Sequence, residues 1–103
     1  MIEPEDCQTM ADVRAGVDET DRVLSALIAR RFRFMDAAAR IKPLRAAVRD
    51  EDRKAQVIAN AAAQATANGW PAPVATDLWE QLVEASISYE FAAFDRIRTS
   101  DAG

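Results

Sequence analysis

Residues 9–43 read TMADVRAGVDETDRVLSALIARRFRFMDAAARIKP. Along them Met10, Val13, Val17, Thr20, Leu24, Leu27, Arg31, Phe34, Ala38 and Ile41 follow at alternating intervals of three and four residues, the repeat of a helix with one seam. Thr9-Met10-Ala11-Asp12 opens this helix as a capping box with Asp in place of Glu, and Pro43 forbids its continuation. Such a helix spans roughly 50 Å, longer than a globule of this chain length is wide. The chain cannot bury it alone. A second copy packed about a two-fold axis, antiparallel or intertwined, is therefore expected.

Outward from that segment the breakers are few. Pro4 precedes it, Pro43 ends it, and Gly69-Trp70-Pro71-Ala72-Pro73 interrupts the remainder. Asp50 is placed to cap a second helix through Ala67, stopped by Asn68 and Gly69, with a narrow apolar face of Val57, Ile58, Ala61, Ala62 and Ala65. A third helix is expected from Pro73 to Arg98, with Leu78, Trp79, Leu82, Val83, Phe94 and Ile97 facing inward and a frayed tail over Thr99–Gly103. Cys7, Trp70 and Trp79 read as packing residues. No repeat, linker or composition shift marks a second domain, so residues 1–103 are expected to form one all-α domain of three helices.

Composition removes whole classes of chemistry. Among 103 residues there is no histidine and one cysteine. Ser-His-Asp and Cys-His catalysis, zinc sites of thiolates and imidazoles, and an intrachain disulfide all fall away. The 13 basic and 17 acidic side chains give a net charge of −4, which argues against a nucleic-acid partner. The opening stretch carries acids instead of a basic and then apolar run, and no 18 consecutive apolar residues occur, so a soluble, cytoplasmic protein without a membrane partner is expected. Of the 13 cations, 11 are arginine, the side chain suited to gripping carboxylates in pairs of hydrogen bonds. The 22 alanines beside them make codon bias the alternative reading.

Polar residues at apolar positions carry the functional signal. Arg31 occupies the seam among Leu24, Leu27, Phe34 and Ala38, where an unpaired guanidinium is costly, so an anion should meet it. Lys42 lies 11 residues on, nearly three full turns, which sets both cations on one side of the helix about 16 Å apart. A small dianion between two long side chains can touch both. Arg14 precedes Arg31 by about 25 Å along the axis and can share that ligand only if the partner chain supplies it. The alternative for all three is a cation snorkelling from the edge of the seam. On the third helix Ser86 and Glu90 interrupt the stripe Trp79, Val83, Phe94, Ile97. A carboxyl there either pairs with an arginine or stays protonated and donates a hydrogen bond.

These residues together resemble a known family. Pro4-Glu5-Asp6-Cys7, Ala11-Asp12-Val13-Arg14 and Val17-Asp18 look like the short isochorismate pyruvate lyases of salicylate and siderophore pathways. Arg30-Arg31, Lys42, Val48-Arg49-Asp50-Glu51-Asp52-Arg53, and Ser86 with Glu90 look like the wider all-helical chorismate mutase family. The resemblance runs from Pro4 to Arg98. It implies an intertwined homodimer of three-helix chains in which Arg14 is donated across the interface to Arg31 and Lys42 of the other chain. It further implies that Arg14 and Arg31 clamp the two carboxylates of chorismate or isochorismate, that Lys42 and Glu90 address the ether oxygen, and that Asp50, Arg53 and Ser86 line the pocket.

No metal or cofactor is implied, because a pericyclic rearrangement asks only for a fixed conformer and donors at the oxygen that gains charge. Position 90 is often Gln in the family. Glu90 can donate to the ether oxygen only when protonated, so activity is expected to fall with rising pH and Glu90→Gln to flatten the profile. Lys54 stands where mutases commonly place a Glu that holds the ring hydroxyl, a departure shared with lyases unless Lys54 is simply exposed. The 43–49 segment is lyase-like in length and placed to close over substrate. The expected activity is chorismate mutase, converting chorismate to prephenate, with isochorismate pyruvate lyase the alternative and a non-catalytic helical dimerisation module the second alternative.

Overall fold

The computed structural model describes residues 2–102, with side chains through residue 99. It is all helical among those residues: a 3₁₀ turn at Pro4–Asp6, α1 at Met10–Ile41, a second 3₁₀ turn at Arg45–Ala47, α2 at Glu51–Ala67 and α3 at Ala72–Ala102. No helix of the described chain is long and apolar enough to cross a membrane. Two compact units divide it, one running to Phe34 and the other starting at Met35, and α1 continues without a break through the boundary.

The first unit holds the N-terminal turn and most of α1. Its cap is reciprocal. The Gln8 and Thr9 amides donate to Asp12 Oδ2 at 3.1 and 3.2 Å, and the Asp12 amide donates to Thr9 Oγ1 at 3.1 Å. The Gln8 amide first of all, with the two Thr9 bonds, holds the Asp12 carboxyl below its ordinary range. The seam forms as expected, yet its large members stand open. Met10, Val13, Val17, Leu24, Leu27, Phe34 and Ile41 are between 39% and 69% exposed.

The second unit packs the end of α1, α2 and α3 around two small clusters. Ala39, Val48, Ala93 and Phe94 form one, with Ile87, Phe91 and Ile97 against it. Ala61, Ala65 and Ala75 form the other, flanked by Trp70 and Trp79. Five of the eight buried hydrophobics in these clusters and beside them are alanines, so the helices approach closely while little apolar area is removed from water.

Helix ends follow their local signals. Asp50 Oδ1 accepts from the Arg53 amide at 3.0 Å, starting α2. Gly69, at φ +83°, ends it, the Trp70 amide reaching back to the Ala65 carbonyl at 2.9 Å and the Gly69 amide to Thr66 at 3.2 Å. That left-handed position followed by an indole on the helix is a Schellman stop. α3 starts at Ala72, which leaves Pro73 inside the first turn, where its missing N–H is harmless.

Three expectations are corrected. α3 continues past Arg98 to Ala102, since no breaker follows, while Gly103 of the expected frayed tail lies outside the described residues. Leu78 is 53% exposed and turns away from the inward stripe. Ala39, Ala75 and Ala93, outside every predicted face, are almost fully buried because only a methyl fits where the helices meet.

Candidate active site

The inward stripe of α3 carries the polar residues that matter. Ser86 and Glu90, one turn apart, are 3% and 4% exposed, between Val83 and Phe94. The Ser86 hydroxyl donates to the Leu82 carbonyl at 2.7 Å, the ordinary resting bond of a serine inside a helix. Glu90 meets Lys42, the first residue beyond α1, whose Nζ donates to Oε2 at 2.7 Å. Of the two outcomes open to a buried carboxyl, the structure has pairing, with a lysine in place of the expected arginine. The Lys42 side chain keeps 30% of its surface against 5% for Glu90. A buried carboxylate thus fixes the ammonium of a partly exposed side chain. An ammonium has three N–H bonds, so donors are left for an incoming oxygen.

The connection from Lys42 to α2 is tied to α3 along its length. The Arg45 guanidinium donates to both oxygens of Asp95, at 2.8 and 3.2 Å, and lies 4.5 Å from the Phe91 ring centre. Val48 inserts into the core. Arg49 donates twice to Glu84, at 2.9 and 3.1 Å, and once to Glu51 at 2.9 Å. A segment expected to close over substrate is therefore already anchored in the free chain.

Lys54 is not exposed as one reading had it. Its side chain is 17% exposed and its Nζ donates to Glu80 at 2.8 Å and to Glu84 at 3.0 Å. Those two acids hold it on α3, so position 54 offers neither a carboxylate nor an uncommitted cation. Two cations converge on Glu84. The Arg49 bonds first, then the Lys54 bond, pull its carboxyl down to about 2 from an ordinary 4.5. A depressed carboxylate stabilises the fold above its unfolded value and loses that contribution as pH falls toward the folded one. Thermal melts of Glu84→Gln and the parent from pH 6 to pH 2 should therefore converge in the acid. Parallel curves would show that Glu84 carries none of the acid sensitivity.

Of the other expected site residues, Arg14 is exposed and Arg31 half-buried, both in the first unit. Asp50 is engaged in capping α2, and Arg53 Nη1 reaches the Gln56 amide oxygen. The structure therefore brings together Lys42 and Glu90, and Asp50 with the Arg53 backbone. A cavity of about 560 Å³ in the first unit, lined by apolar residues such as Ile2, Val13 and Val17 together with the acids Glu3 and Asp21, has no cation in its wall and suits no dianion.

Sequence reasoning missed Arg98, which holds the end of α1, and the Arg49–Glu84–Lys54 cluster. Arg98 had a weak signal, four and eight residues beyond Phe94 and Glu90 on one face of α3; the cluster joins residues some 30 apart and had none.

A buried carboxylate paired with a lysine, with the Ser86 hydroxyl one turn away on the same stripe, is the polar centre of the second unit. Residues 13–91 match the model of the family chorismate mutase type II. The chain belongs to that family and is an enzyme of its kind. It is also 31% identical over 98 residues to the isochorismate pyruvate lyase of Pseudomonas aeruginosa, a match covering 95% of this chain and 97% of that protein.

Proposed function

We propose that this chain is a chorismate mutase acting as a homodimer, rearranging chorismate to prephenate without metal or cofactor. The observation that carries the reading is the Lys42–Glu90 pair, 2.7 Å long, with its carboxylate buried on α3 of a chain in this family. In this reading Arg31 of one chain and Arg14 of its partner bind the substrate's two carboxylates. Lys42 donates to the ether oxygen as the C–O bond breaks, and Asp50, Arg53 and Ser86 line the remaining wall. The open seam of α1 supports the dimer: a row of apolar side chains 39% to 69% exposed is the surface a second α1 would cover. A cytoplasmic location fits the same enzyme.

Bonds that strengthen as charge moves onto oxygen lower the barrier without any group being attacked. Glu90 serves by position: its carboxylate accepts from Lys42 Nζ at 2.7 Å and aims that ammonium. Glu90→Gln keeps the size of the side chain but removes the charge that holds the ammonium, so kcat is expected to fall. An unchanged kcat in the variant would remove Glu90 from that role.

Isochorismate pyruvate lyase is the second reading, and Lys54 favours it. Its commitment to Glu80 and Glu84 leaves no carboxylate at that position for a ring hydroxyl, and the Pseudomonas relative is named for the lyase reaction. Both readings require a dicarboxylate to bind. Saturating chorismate-like dicarboxylate should raise the melting temperature, by mass action on the folded state. A flat response in the parent protein would count against both.

A further inference from the structure

Arg98 has no place in either reading, yet its contacts converge on Lys42. Its Nη1 donates to the Ala39 carbonyl and its Nη2 to the carbonyl of Lys42 itself, each at 2.6 Å and partly buried. Its guanidinium stacks on the Phe94 ring, 3.7 Å from the centre. The last carbonyls of a helix have no partner within it, and here one planar fork satisfies two of them. The Lys42 amide still belongs to α1, donating to the Ala38 carbonyl at 2.9 Å.

Glu90, Phe94 and Arg98 follow at intervals of four on one face of α3. The first takes the tip of the Lys42 side chain and the last takes its backbone. Lys42 is therefore held at its amide by α1 and at its carbonyl and ammonium by α3. A lysine side chain has four rotatable bonds, so fixing the amine alone leaves the backbone free to trade positions with it. Fixing both ends leaves one height for Nζ above Glu90.

We infer that Arg98 is a positioning residue for Lys42, setting the point from which its ammonium meets the substrate oxygen. This rests on the reading of Lys42 as the donor. Arg98 would touch no substrate. A displacement of about 1 Å at a reacting group can cost about a hundredfold in rate, far more than the loss of a helix cap implies for turnover by the folded fraction.

The test uses Arg98→Lys, which keeps the charge but cannot bridge two carbonyls, and Arg98→Gln, whose single amide group reaches one. Each is measured as folded dimer for kcat and KM, alone and with Lys42→Ala. The expected result is a kcat lower by about tenfold to a hundredfold with KM within about threefold, and no further loss once Lys42 is already alanine. An unchanged kcat with only a lowered melting temperature would overturn the proposal, as would an equal loss in the Lys42→Ala background.

A second readout needs no substrate. The chain has two lysines, Lys42 and Lys54, and acetylation by an activated acetate ester can be followed at each by mass spectrometry. Arg98→Gln, which adds no third lysine, should change the rate at Lys42 and leave Lys54, bound to Glu80 and Glu84, as an internal standard. Parent protein that turns over neither chorismate nor isochorismate would defeat the functional reading, and the Lys42 rate would still decide the positioning role. Turnover with an unchanged Lys42 rate and kcat would defeat the positioning role alone.

Discussion

Lys42→Ala is expected to lower kcat/KM by about a thousandfold, because it deletes the donor aimed at the oxygen that gains charge. The same substitution strands Glu90, whose side chain is 5% exposed and whose partner is that ammonium. Leaving a buried ionisable group without its partner costs on the order of 2–3 kcal/mol. The two effects separate in the double variant Lys42→Ala/Glu90→Gln. A neutral amide at position 90 should recover much of the lost melting temperature and none of the turnover. Recovery of turnover would mean that Lys42 acts by neutralising Glu90 and donates nothing to substrate.

Arg14→Ala should be as damaging, and its loss should be repairable by a chain that is itself inactive. If each site takes Arg14 from one chain and Lys42 from the other, a heterodimer of Arg14→Ala with Lys42→Ala holds one intact site and one doubly defective site. Random reassortment of equal amounts makes half the dimers mixed, so about a quarter of the parent activity should return after unfolding and refolding the two together. No recovery, with mixed dimers demonstrated by mass, would place both cations of a site on one chain.

How far the sequence reached differs by element. Helix ends were legible because their causes are local: Thr9 with Asp12, Asp50 with the Arg53 amide, and Gly69 in the left-handed region each act within a few residues. The α3 stripe was legible for a related reason. Trp79, Val83, Ser86, Glu90, Phe94 and Ile97 share a face by helical period alone, and all are buried or half-buried. Alanines misled because they favour helix on either face, so Ala39, Ala75 and Ala93 announced nothing of their burial.

At the site, the anomaly of Glu90 in an apolar stripe was readable, but the identity of its partner was not. Glu90 and Lys42 are 48 residues apart, Lys54 and Glu84 30 apart, and Arg98 and Lys42 56 apart. Pairings at such separations depend on how two helices meet, and no spacing rule along one helix encodes that. Lys54 shows the consequence: a cation that reads as surface decoration is held by two acids of another helix.

The chemistry itself is tested most directly by steady-state turnover of the purified protein, with chorismate and isochorismate assayed side by side for prephenate and for salicylate plus pyruvate. The account predicts efficient prephenate formation that depends on Lys42 and Arg14. Fast release of salicylate and pyruvate with only residual prephenate would contradict the mutase reading and establish the lyase.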